Sequence, residues 1–140
     1  MTKKGKSENV QVIVRVRPLN RKETEAGFKE CVSVDIGGGS VSVSGAGVDG
    51  RSFTFDAVYT NAFAQKDVYL QSIHQVVETV LQGYNGTIFA YGQSGTGKTY
   101  SMVGNLDNPK QYGITPLALE HIFSAINELR SEKMEYTVQA

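Results

Sequence analysis

The sequence predicts an α/β domain with a mostly parallel central sheet, helices on its flanks and a small antiparallel lobe of hairpins. Three observations predict it. A compact apolar run, TIFAY at 87–91, leads straight into the glycine-rich stretch GQSGTGKT at 92–99, with a helix expected after it. That strand–loop–helix order belongs to sheets of parallel strands. Short alternating runs between 31 and 59 are parted by glycine clusters, as in antiparallel hairpins. Over 66–82 the apolar spacing then changes from strand-like to helical.

Taken in order, the N-terminal MTKKGKSEN is polar. Residues 1–8 are expected to form a disordered, solvated tail that carries Lys3, Lys4 and Lys6. The tail lacks the apolar stretch of a secretory signal. VQVIVRV (10–16) is dense in β-branched residues and reads as a buried strand, which Pro18 ends because proline supplies no ladder donor. NRKETEAGFKE is polar, a loop with room for one helical turn. CVSVDI, VSVSG and SFTFDAVY follow as three strands, and the glycines of GGGS (37–40) and GAGVDG (45–50) serve the turns between them.

In KDVYLQSIHQVVETVLQ (66–82), Tyr69, Ile73, Val76, Val77, Val80 and Leu81 fall at helical spacing, and Gly83 supplies the stop. YNG (84–86) is a turn, TIFAY a strand, and a helix opens near Lys98. NLDNPKQYG (105–113) is a polar loop. Thr115 stands as an N-cap with Pro116 at the first helical position. Leu119, Ile122, Phe123, Ile126 and Leu129 form the apolar stripe of that helix. His74 and His121 read as ordinary helix residues, His74 lying away from any other metal ligand. MEYTVQA (134–140) begins an alternating strand.

With 140 residues the chain suits one domain with a real core. Its 14 basic and 14 acidic residues cancel, so nothing global favours nucleic acid or an anionic membrane. The one cysteine, Cys31, excludes an internal disulfide and suits a reducing compartment; it reads as a buried strand residue. No segment approaches the roughly 20 apolar residues that span a bilayer. An intracellular protein with no membrane insertion and no nucleic-acid partner is expected.

Gly92, Gly97, Lys98 and Thr99 satisfy the pattern G-x-x-x-x-G-K-[ST] in its strand-to-helix setting. The chemistry explains each residue type. Glycines at 92, 95 and 97 let the backbone turn tightly and bring N–H groups close to an anion. With the donors of the helix start, the loop Gly92, Gln93, Ser94, Gly95, Thr96 and Gly97 makes a cradle for the α- and β-phosphates. Lys98 extends a cation to the β- and γ-phosphates as charge moves during transfer, which makes it the candidate catalytic group. Thr99 offers a hydroxyl to Mg²⁺, a hard cation that prefers oxygen. ATP or ADP with Mg²⁺ is the expected ligand.

The flanking residues point to a family. LQGYNGTIFAYGQSGTGKTYSMVG (81–104) strongly resembles the phosphate-loop region of the kinesin motor domain. VIVRVRPLN (12–20) looks like the R-x-R-P-L-N strand end of that family. FTFDAVY (53–59) resembles its F-x-F-D-x-V-F stretch, with Tyr59 in place of Phe, and GITPLALEHIF (113–123) its G-I-I-P-R-A helix, with Thr115 and Leu117 as departures. The resemblance implies that Arg15, Arg17 and Pro18 line the adenine side of the pocket and that Tyr100 packs against the base. A guanidinium plane, a proline ring and a phenol can all pack on a flat π-system. The residues alone fit equally well a reading as strand-edge charges and a strand terminator.

The resemblance also implies an ATP-driven motor of the cytoplasm and cytoskeleton that moves on microtubules. The switch motifs N-x-x-S-S-R and D-L-A-G, most of the tubulin-contacting surface, and the neck and stalk through which such motors oligomerise would all lie beyond residue 140. After Lys98 the acids are Asp107, Glu120, Glu128, Glu132 and Glu135, and none ends an apolar strand as a metal-holding carboxylate of this class should. Residues 9–140 are therefore expected to be the N-terminal, truncated portion of a motor domain, without motor activity by itself. Two other classes share the glycine loop: a phosphate-loop kinase or other transferase, and a non-catalytic nucleotide-binding interaction module. The first does not account for RVRPLN or the hairpin lobe, and S-S-R and D-L-A-G motifs downstream of Ala140 would separate the second from a motor.

Overall fold

The computed structural model describes residues 10–45, 48–129 and 138. The expected N-terminal tail and the strand expected at 134–140 lie outside these residues, except for Val138, which is in no regular element. The chain divides into two compact units, Met1–Ala62 and Phe63–Ala140, each described by itself.

In the first unit, β1 (Ile13–Arg15) pairs in parallel with β5 (Ala57–Tyr59), Val14 opposite Val58. The ladder is prolonged by Val16 N–H donating to Tyr59 O at 2.7 Å and Asp56 N–H to Val12 O at 3.0 Å. The Asp56 carboxylate then takes the Val12 N–H at 2.7 Å, in place of a further strand bond. The expected buried strand over 10–16 is thus shorter and only half-buried, because its partner spans three residues; Val10 is 78% exposed. Between the paired strands stands the antiparallel lobe β2 (Val32–Asp35), β3 (Ser40–Gly45) and β4 (Val48–Thr54), in the order β2-β3-β4. SFTFDAVY therefore divides at Phe55–Asp56, its first half completing the lobe and its second half pairing with β1. Val41, Val58 and Tyr59 are buried.

Cys31 is exposed, against expectation. It precedes β2, where Val32 and Val34 turn inward and Ser33 and Asp35 outward; the two-residue period puts Cys31 on the outer side.

The short helix α1 (Arg21–Glu25) realises the single turn expected in the polar segment. Asn20 caps it, its side chain accepting from Glu23 N–H at 3.0 Å, while the Glu23 carboxylate accepts from Asn20 N–H at 2.8 Å. This reciprocal capping box satisfies two donors that a helix start leaves open.

In the second unit one continuous helix runs as α2 (Gln65–Val68), a wide π-turn (Tyr69–Ile73) and α3 (His74–Leu81). The π-turn, closed by His74 N–H on Tyr69 O, inserts an extra residue and rotates everything downstream. Val68, Tyr69, Ser72, Ile73 and Val77 face inward, and Val80, expected on the same stripe, is 39% exposed. Burial, with the Glu78 carboxylate adding to it, raises the Tyr69 phenol above its ordinary pKa. At the C-terminus, Gly83 N–H donates to Val80 O (2.9 Å) and Tyr84 N–H to Thr79 O (3.2 Å), with Gly83 at φ 94°. These two bonds make a Schellman motif.

TIFAY does not form the expected central strand: residues 87–91 belong to no regular element, and Phe89 and Tyr91 are 76% and 96% exposed. A strand exists only as a member of a ladder, and no strand among the described residues pairs with this segment. α4 (Lys98–Met102) follows the glycine loop, as expected for Lys98. A loop with one 3₁₀ turn (Pro109–Gln111) returns to an antiparallel bridge between Gly104 and Tyr112. α5 (Ile114–Leu129) begins one residue before Thr115, with Leu117 N–H already donating to Gly113 O at 3.2 Å. Thr115 is therefore inside the helix. Pro116 is its third residue, where a missing N–H costs nothing because first-turn donors have no intrahelical partner.

Gly83→Ala should destabilise the protein by about 1 kcal/mol, since an L-residue resists the left-handed conformation. No atom lies within 4 Å of the added Cβ, so the cost is purely conformational. An unchanged urea midpoint would contradict this account.

Candidate functional site: the glycine loop

The loop between 92 and 99 is bent by glycines at positive φ: 153° at Gly92, 82° at Gly95 and 95° at Gly97. A side chain at Gly92 would collide with Thr96, its Cβ lying 2.6 Å from Thr96 Oγ1. At Gly95 and Gly97 the space a Cβ would occupy is open to 4 Å. The first position thus permits a tight turn, and the other two leave the space beside the loop clear.

Thr96 closes the turn, its N–H and hydroxyl both donating to Gln93 O, at 3.2 and 2.8 Å. Lys98 is the first residue of α4 and reaches back over the loop, Nζ donating to Gly92 O at 2.7 Å and Gln93 O at 3.0 Å. Gly97 occupies the N-cap without a side-chain capping bond, so no side chain at that position covers the helix start. Gln93, Ser94, Thr96 and Thr99 are exposed, Tyr100 is 46% exposed, and Lys98 is half-buried. The loop and the first residues of α4 therefore present a cation, backbone N–H groups and the Thr99 hydroxyl together. That donor set fits a polyphosphate with a hard divalent cation.

Gln65 supports this arrangement, and no feature of the sequence singled it out. It is 5% exposed at the start of α2, and its Nε2 donates to Tyr100 O at 2.6 Å and to Gln111 O at 3.4 Å. A buried carboxamide so ties α4 and the following loop to α2.

The remaining candidates, Arg15, Arg17 and Pro18, lie in the first unit, Arg15 ending β1. Arg17 is gripped by the same Glu23 that caps α1. Its two terminal nitrogens donate to Glu23 Oε2 at 2.8 Å and Oε1 at 2.6 Å, and Nη1 also donates to Pro18 O at 2.8 Å. This forked pair is the strong form of a charge-assisted bond. Hydrogen bonds from Arg17, then from the Asn20 N–H, lower the Glu23 carboxyl to about 2, and the pair raises Arg17.

The loop geometry and the α/β elements define a phosphate-loop NTPase fold. The chain belongs to the kinesin motor-domain family, whose family model, the Kinesin motor domain, matches residues 15–140. Kinesin-like protein KIF3C of Bos taurus is 45% identical over 138 residues, covering 96% of this chain and 17% of the relative. The Mus musculus protein of the same name is 44% identical with the same shares. A solved structure of a fast kinesin superposes with a TM-score of 0.82 at 38% identity, covering 90% of this chain and 35% of that one. The chain thus spans only a part of the length of the relatives it matches. No helix among the described residues is long and apolar enough to cross a membrane.

A lowered folded-state pKa stabilises the protein above the unfolded value and ceases to do so as pH falls through the folded one. The Glu23 contribution should therefore be complete above its ordinary 4.5 and decline toward about 2. Followed by NMR, the Glu23 side chain should titrate near the lower value, and Arg17→Ala should move the midpoint back toward the ordinary one. A midpoint indifferent to Arg17 would contradict the pairing.

Proposed function

We propose that this chain is the ATP-binding part of a microtubule-based kinesin motor, with residues 9–140 forming the N-terminal portion of the motor domain. One observation carries the reading: Lys98 opens α4 directly behind left-handed glycines, with the space beside Gly95 and Gly97 clear. The loop residues 92–97 bind the α- and β-phosphates through backbone N–H groups. Lys98 leaves the carbonyls of Gly92 and Gln93 to meet the β- and γ-phosphates. Thr99 offers its hydroxyl to Mg²⁺, and Tyr100, with Arg15, Arg17 and Pro18, serves the adenine side. Bound ATP with Mg²⁺ supplies the phosphoanhydride to be hydrolysed and the divalent charge that offsets its oxygens. The partner of the whole motor is the microtubule, which places it on the cytoskeleton in the cytoplasm; oligomerisation belongs to a stalk.

Binding phosphates alone does not accelerate hydrolysis, because only interactions stronger in the transition state do so. Asp107 is exposed in a loop, and Glu120 and Glu128 are exposed on α5, so these acids offer no buried metal-holding carboxylate.

Lys98→Ala should cost about 1.5–3 kcal/mol of nucleotide affinity, an order of magnitude or more in Kd, measured by anisotropy of a fluorescent ATP analogue. Affinity equal to wild type would remove Lys98 from the site. Phosphate release by the 140-residue chain should show no stimulation by polymerised tubulin. Robust stimulation abolished by Lys98→Ala would mean that this chain carries its own complete set of catalytic groups.

A further inference from the structure

The two histidines of the chain, read from sequence as unrelated helix residues, meet. His74 and Glu78 stand one turn apart on α3, and α5 brings His121 against them. His121 Nε2 is 2.8 Å from Glu78 Oε1, and His74 Nε2 is 3.9 Å from the same oxygen. The imidazoles stack with centroids 4.4 Å apart and planes inclined by 20°. One ligand atom from each of the three residues can be chosen so that all lie within 4.8 Å of one another.

We propose that His74, Glu78 and His121 form a binding site for a divalent transition-metal ion, zinc by the chemistry of its donors, which ties α3 to α5. Two imidazole nitrogens and a carboxylate are the ligands that zinc and its neighbours prefer, whereas Mg²⁺ favours all-oxygen sites. Ligand atoms held at about 2.0–2.2 Å around one ion lie roughly 3–3.5 Å from each other. The observed separations of 2.8 and 3.9 Å bracket that edge, and metal binding turns the stacked rings out of their parallel alignment so that both nitrogen lone pairs point at one ion. The side chains of His74 and Glu78 are 41% and 38% exposed, which leaves a water-accessible side for entry and for a fourth ligand.

A partner for the other nitrogen of His121 is also present. Tyr69 OH lies 2.8 Å from His121 Nδ1, and a metal-bound histidine characteristically gives its other ring N–H to such a partner. Without metal, Nε2–H donates to Glu78 and the Tyr69 hydroxyl donates to Nδ1. With metal on Nε2 the ring proton resides on Nδ1, and the hydroxyl oxygen accepts it. A hydroxyl can do either, so the buried Tyr69 supports both forms without moving.

The test is zinc titration of the full chain, stripped with chelator, against a chromophoric competitor, with Co²⁺ absorption reporting the coordination. One equivalent should bind, and millimolar Mg²⁺ should not displace it. His74→Gln, at a partly exposed position that leaves the Tyr69–His121–Glu78 chain intact, should weaken zinc binding by about tenfold or more and change the Co²⁺ spectrum. Cys31→Ser should leave both as in wild type. Zinc should also raise the melting temperature of wild type more than that of His74→Gln. Failure to bind one equivalent, or wild-type affinity in His74→Gln, would overturn the proposal. Neither result depends on nucleotide binding.

Discussion

The second unit depends on one helix face. Its buried apolar side chains among the described residues are Val68, Tyr69, Ile73 and Val77, all on the helix that runs from Gln65 to Leu81. A buried side chain of this size contributes about 1.5–3 kcal/mol, so these four residues are the main apolar support of that unit. The π-turn between Val68 and His74 decides which residues they are. By rotating the second half of the helix it buries Val77 and carries Val80 outward. The same rotation sets the face of α3 from which His74 and Glu78 meet α5.

From that face a buried polar side chain carries support toward the glycine loop. Gln65 is buried at the helix start, and its carboxamide holds the carbonyls of Tyr100 and Gln111. A buried amide left without partners would cost about 1–3 kcal/mol, which makes this contact specific as well as cohesive. The catalytic candidate is thus positioned from outside its own loop: Lys98 begins a helix of five residues, too short to be stable by itself.

The first unit shows a related economy. Glu23 completes the capping box of α1 through Oε2 and grips Arg17 through both carboxylate oxygens. The conformation after β1 and the direction of the Arg17 guanidinium are consequently coupled: loss of the helix turn would release the arginine.

Much of this was legible in the sequence, for physical reasons that are local. The glycine pattern and Lys98 announce the loop because only glycine adopts its positive φ values without strain. The glycine stop after Leu81 and the hairpins of β2, β3 and β4 follow from turn chemistry over a few residues. What the tertiary structure alone decided depends on partners distant in the chain. TIFAY has strand composition, yet a strand requires a neighbour, and none pairs with it among the described residues. SFTFDAVY reads as one strand, but its two halves serve different sheets because β1 captures only the second. Cys31 faces outward because the register of β2 fixes its side. The π-turn leaves no periodic signature, since an inserted residue shows only as a change of phase. His74, Glu78 and His121 converge because two helices pack, and helical spacing within either one could not reveal the other.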